Sequence, residues 1–101
     1  MSRKFEAKIY WLSETQGGRK NIPFSDKYAP IIQLTKPRYE SDDYWSLFVY
    51  NKNMTSEYET LSDIEYLSEN APDNLSAGVE FELYEGPKMV ANGIVLREIM
   101  S

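Results

Sequence analysis

The stretch Val79-Glu80-Phe81-Glu82-Leu83-Tyr84-Glu85-Gly86-Pro87 decides how the chain is read. Apolar Val79, Phe81 and Leu83 alternate with Glu80, Glu82 and Tyr84, the two-residue period of a strand with one buried face. Gly86-Pro87 then ends the strand and turns the chain. Lys88–Ile99 is predicted to return beside it, with Gly93 marking either a bulge or a close backbone approach. Outward from this hairpin the same period recurs. Phe5, Ala7, Ile9 and Trp11 share one face of an N-terminal strand whose other face carries Glu6 and Lys8. A polar loop over 13–23 follows, in which Gly17-Gly18 permits positive φ. Ile31–Lys36 is a short strand between Pro30 and Pro37, prolines that suit a strand end better than a central ladder position.

Arg38–Tyr44 reads as an acidic loop, and Trp45–Asn53 as an aromatic, β-branched strand. Tyr58–Ser68 reads as the next strand. Its alternative is a helix opening at Ser62, because Ser62-Asp63-Ile64-Glu65 has the form of a capping box. Residues 70–78 form a loop by composition. Six strands and no ten-residue helix predict an all-β chain, a six-stranded antiparallel β-barrel. Closure removes exposed edges, and a single domain spans 1–101. Phe5, Ile9, Trp11, Val79, Phe81 and Leu83 are expected to face inward.

Composition narrows the function. With 101 residues, no His and no Cys, the chain holds no Cys/His zinc site, thiol nucleophile, His-based triad or disulfide. The absence of cysteine favours a reducing compartment, and Met1–Lys8 lacks the apolar core of a signal peptide. No apolar run approaches the roughly 20 residues of a spanning helix. The expectation is a soluble cytoplasmic protein with no membrane association. The net charge is −5, but eight Lys/Arg face three acids across 1–38, and twelve acids face only Lys52 across 39–86. The carboxylate pairs Asp42/Asp43, Asp63/Glu65 and Glu80/Glu82 read as solvated faces without metal-loop spacing. No nucleophile–base arrangement is evident, so no enzyme, cofactor or metal is expected.

The opening Lys4-Phe5-Glu6-Ala7-Lys8-Ile9-Tyr10-Trp11-Leu12-Ser13, followed by Gly17-Gly18-Arg19, Pro23-Phe24 and Tyr28-Ala29-Pro30, resembles the start of the third domain of bacterial elongation factor Tu. Val79–Gly86 and Val90-Ala91-Asn92-Gly93-Ile94-Val95 are similar to the final hairpin of that domain. The resemblance implies the same six-stranded antiparallel barrel. It also implies a surface that, in the elongation factor, holds the T-arm of aminoacyl-tRNA and touches a nucleotide-exchange factor. No G-x-x-x-x-G-K-[ST] loop is present, so no GTPase of that type is expected.

Of the cations that the family carries, Arg19 matches the arginine of the Gly-Gly-Arg loop, and Lys88 the arginine after the hairpin turn. Lys20 and Asn21 stand for a His-Thr pair, whereas Ala29 and Tyr84 occupy two arginine positions. Two cationic positions persist and two are lost. The candidate binding residues are therefore Gly17, Gly18, Arg19, Lys20, Asn21, Tyr84 and Lys88. Glycine amides beside three cations would suit an anion, while an outward tyrosine beside an arginine has the composition of a protein hot spot. Loss of two cations and the net negative charge favour a protein partner over RNA, and DNA is not expected. The alternative is a weak tRNA- or RNA-binding, translation-associated module using Arg19, Lys20 and Lys88.

Overall fold

The computed structural model describes residues 3–24, 28–35, 45–71 and 75–99. Pro37, the 38–44 loop, Asp42/Asp43 and the middle of the 70–78 loop lie outside them. Six strands alternate inward apolar and outward polar residues: β1 (Lys4–Trp11), β2 (Ile31–Leu34), β3 (Trp45–Ser56), β4 (Glu59–Tyr66), β5 (Glu80–Glu85) and β6 (Lys88–Ile99). All pairings are antiparallel, and the order β1-β4-β3-β2-β5-β6 closes on itself as a barrel. No helix among the described residues is long and apolar enough to cross a membrane.

Alternation turns Phe5, Ala7, Ile9 and Trp11 of β1 inward, where they meet Leu47, Val49, Ile64, Phe81, Leu83, Val90 and Val95 in one core. Val79 is only half-buried, because it precedes β5 in a turn closed by its amide on the Ser76 carbonyl. The helix alternative at Ser62 is not realised. Ser62 lies within β4 with its hydroxyl inside the barrel, 2.6 Å from Asn51 Oδ1 and 2.9 Å from Thr60 Oγ1. Trp11 Nε1 donates to Thr60 Oγ1 at 2.9 Å, and Asn51 Nδ2 donates to the Pro23 carbonyl. These buried polar groups satisfy one another and tie the 12–24 loop across one end of the barrel. Trp11→Phe removes the indole donor and leaves the Thr60 oxygen short of a partner. It is expected to cost about 1–3 kcal/mol, read by urea unfolding.

Gly93 is a close approach. A Cβ there would lie 2.6 Å from Phe81 Cζ and 2.8 Å from the Lys8 carbonyl oxygen. The bulges fall elsewhere on β6. Register slips between Glu6/Ala7 and between Leu83/Tyr84 make Leu96 and Val90 the extra residues. The second slip explains how the neighbours Val90 and Ala91 are both buried, which strict alternation forbids.

Candidate functional site

The 12–24 loop is more structured than its polar composition suggests. Glu14–Gln16 make one 3₁₀ turn, begun by Ser13, whose amide donates to Gln16 Oε1 at 2.9 Å, and ended by Gly17 at φ 89°. The Ser13-x-x-Gln16 pattern was the available signal. The glycine amides are not offered to an anion, as the sequence reading had them. Gly17 donates to the Glu14 carbonyl at 3.1 Å, and Gly18 to the Ser13 carbonyl at 2.8 Å. Gly18 is also not a flexible element: a Cβ on it would lie 2.0 Å from the Leu12 carbonyl oxygen.

Arg19 reaches from this loop to the β5–β6 hairpin. Its guanidinium lies 2.5 Å from Glu85 Oε2, its Nε donates to the Asn21 carbonyl at 3.0 Å, and it stacks over the Tyr28 ring at 5.1 Å. Tyr28 donates to the same carboxylate oxygen at 2.5 Å and packs against Trp11 at 5.9 Å between ring centres. Partial burial pushes the Glu85 carboxyl up, but hydrogen bonds from Tyr28 and Arg19 and the fields of Arg19 and Lys88 outweigh it, so it stays below its ordinary 4.5. Tyr28 moves the other way, its phenol held neutral by burial and then by the neighbouring carboxylate.

A depressed carboxyl pKa stabilises the fold above the unfolded value, and that contribution is lost as pH falls through the folded value. Wild type is therefore expected to lose more stability than Glu85→Gln on acidification from pH 6 to below 4.5. Paired urea titrations at each pH would measure the difference. Both partners are about one-third exposed, so screening keeps the contribution small.

The structure thus brings Arg19 and Lys88 to the same carboxylate. Lys20, Asn21 and Lys88 are exposed, and Lys20 and Lys88 carry no ion pair among the described residues. Tyr84 precedes Glu85 on β5 and so points to the opposite face. There it lines a groove of about 450 Å³ with Ile31, Gln33, Gly86 and Pro87. This volume falls within the range of about 300–1,000 Å³ typical of ligand pockets. Register sets the floor: Ile31 pairs with Tyr84, and Gln33 with Glu82. The Tyr84 hydroxyl donates to Glu82 Oε1 at 2.9 Å. Ile31, Gln33, Gly86 and Pro87 were not among the sequence candidates; Ile31 and Gln33 join Tyr84 only through the β2–β5 pairing of segments far apart in the chain.

Elsewhere on the outer surface several charges are paired. Lys52 bridges Glu6 at 2.8 Å and Asp63 at 2.7 Å, Arg97 meets Glu6 at 3.1 Å, and Arg3 meets Glu98 at 2.7 Å. Among the described residues no group of three or more Asp and Glu is placed to hold a metal ion. No family model matches the chain, and no curated protein matches it either.

Proposed function

We propose that the chain is a non-catalytic binding module, on a barrel of the kind found in the third domain of elongation factor Tu, that engages a protein partner. The observation that carries this reading is the groove of Ile31, Gln33, Tyr84, Gly86 and Pro87, a mainly apolar surface with a tyrosine in its lining. Aromatic anchors in such pockets supply a large share of protein–protein affinity. The internal pairing of Arg19 with Glu85 supports it further. Phosphate binding depends on cations that release counterions, and a guanidinium already neutralised by a carboxylate contributes little. Lys20 and Lys88 remain as the cations of the RNA-binding alternative. A reducing, cytoplasmic setting agrees with the lack of cysteine.

Photo-crosslinking tests the reading. A photoreactive residue replacing Gln33, in the groove, is irradiated in cell extract beside one replacing Glu98, an exposed position near the end of β6 that does not line the groove. The expected result is a discrete adduct from the groove position, resistant to ribonuclease, sensitive to protease and absent in a Tyr84→Ala background. Adducts destroyed by ribonuclease, or equal adducts from both positions, would contradict it.

A further inference from the structure

Closure of the barrel does not extend to the whole of β3. β2 is four residues long against twelve in β3, and it pairs only with Trp45 and Ser46. Farther along, the Leu47 and Val49 amides donate to the Pro30 and Tyr28 carbonyls, and the Asn51 side chain donates to the Pro23 carbonyl. Pro23 and Tyr28, on either side of residues 25–27, thus meet β3 no farther along than Asn51. From Lys52 to Ser56 the strand has β4 on one side and, among the described residues, no backbone partner on the other. All five residues are exposed, and Met54 is 44% exposed although its partner Thr60 is wholly buried. The phase of the ladder fixes which groups are open. The Trp11 amide donates to the Tyr58 carbonyl, so Tyr58, Thr60 and Ser62 direct their backbone groups to β1. Met54, opposite Thr60, is then a non-bonded partner of β4 and turns both its amide and its carbonyl to the open side.

We propose that this edge pairs antiparallel with the same edge of a second copy of the chain, about a two-fold axis at Met54. Such a pair sets Met54 against Met54 of the second copy, and each donates its amide to the other's carbonyl, the bonded pair of an antiparallel ladder. Asn53 then faces Thr55 of the second copy, Lys52 faces Ser56, and Glu57 faces Asn51. Charge selects this occupant. Asn53–Ser56 carry no charge in a chain that is 27% charged, so the two-fold brings no like charges opposite each other. Register shifts make Lys52 and Thr55 the extra residues of two bulges, one on each side of Asn53-Met54. A long foreign strand would lose its ladder at each bulge, whereas a two-fold mate needs only the central pair and its flanks. An edge of five residues buries far less than the roughly 1,600 Å² of a standard interface, so the dimer forms and dissociates with concentration. Each copy carries a charge of −5, so added salt strengthens the pair by screening.

The chain has no cysteine, so single cysteines introduced into the full chain report the register. In the bonded pair the two Met54 Cα atoms lie about 5.5 Å apart, within disulfide reach, whereas Asn53 or Thr55 meets its own copy only across a diagonal of about 7–8 Å. Met54→Cys is therefore expected to form a covalent dimer under mild oxidation at least about tenfold faster than Asn53→Cys or Thr55→Cys alone. An equal mixture of those two variants should restore the fast rate. Sedimentation velocity of the unaltered chain from about 10 μM to about 1 mM should show a monomer–dimer equilibrium that tightens with salt. Met54→Pro deletes the open amide and leaves the β4 ladder whole, so it should stay folded and monomeric. Equal oxidation rates at the three positions, or a monomer throughout the concentration range, would overturn the proposal. A Met54→Pro chain that dimerises like wild type would do so too; should that variant fail to fold, the cysteine rates decide. A monomeric chain whose photoreactive residue at position 54 joins it to a different protein would give the edge to that protein and overturn the second copy. None of these results bears on the groove at Tyr84, which cross-linking from Gln33 tests separately.

Discussion

Replacing Phe81 with alanine is expected to destabilise the protein by about 3–5 kcal/mol, the usual cost of deleting a fully buried aromatic ring. Phe81 is 0% exposed and belongs to the single core of the barrel, so the surrounding strands cannot collapse into the space without breaking register. For a domain whose total stability is about 5–15 kcal/mol, this is a large share, and the shift in urea midpoint should be plain. The ring also explains Gly93, whose added Cβ would meet Phe81 Cζ at 2.6 Å. Gly93→Ala should therefore be damaging in wild type and less damaging beside Phe81→Ala, a non-additive pair in a double-mutant cycle. Relief will be partial, since the Lys8 carbonyl oxygen at 2.8 Å remains. Strict additivity would show that the two positions do not touch.

Gly18→Ala is expected to be the second large effect, about 3 kcal/mol, at the upper end for overpacking. The obstacle is backbone: the new Cβ would meet the Leu12 carbonyl oxygen at 2.0 Å and its carbon at 2.5 Å. The loop must lift from the end of β1, and Arg19 then loses Glu85 and Tyr28. Urea unfolding gives the magnitude, and near-ultraviolet circular dichroism of the Trp11–Tyr28 pair reports whether the loop has moved. A neutral Gly18→Ala with an unchanged aromatic spectrum would contradict the packing described. Gly17→Ala differs in kind, because nothing lies near its Cβ and the penalty comes from its positive φ alone.

Local alternation made much of the fold legible. Phe5, Ile9 and Trp11 on β1, and Phe81 and Leu83 on β5, face inward as their two-residue period requires. What escaped was non-local or one residue out of step. The bulges at Val90 and Leu96 leave no compositional mark, because each depends on the register of a neighbouring strand. β3 runs on to Ser56, past the Asn53 boundary, because its outer half pairs with the start of β4 across further register shifts.

The candidate site divides the same way. Arg19, Lys20 and Lys88 could be picked out as cations near glycines, and the structure does bring the loop and the hairpin together. That Glu85 takes up Arg19 follows from which strand lies beside the loop, and no spacing encodes it. Tyr84 was visible as an outward aromatic. Its groove was not, since Ile31 and Gln33 come from β2 and meet it through cross-strand pairing alone. Glycine was read as freedom at both 17 and 18, whereas at Gly18 its role is to let two backbone segments touch.

We propose that Glu85 takes up the charge of Arg19, leaving Lys20 and Lys88 as the cations without an ion pair among the described residues at this end of the barrel, so that the module binds protein in preference to RNA. The most direct test is fluorescence anisotropy of labelled tRNA, charged and uncharged, titrated with the full chain at low and at physiological salt. Alongside run the Arg19→Ala, Lys20→Ala double variant and the single variant Glu85→Gln. The predicted result is no saturable binding by wild type at physiological salt, with a gain at low salt in Glu85→Gln, where Arg19 is released. Saturable, salt-sensitive binding of wild type at micromolar or better affinity, abolished in the double variant, would contradict the claim.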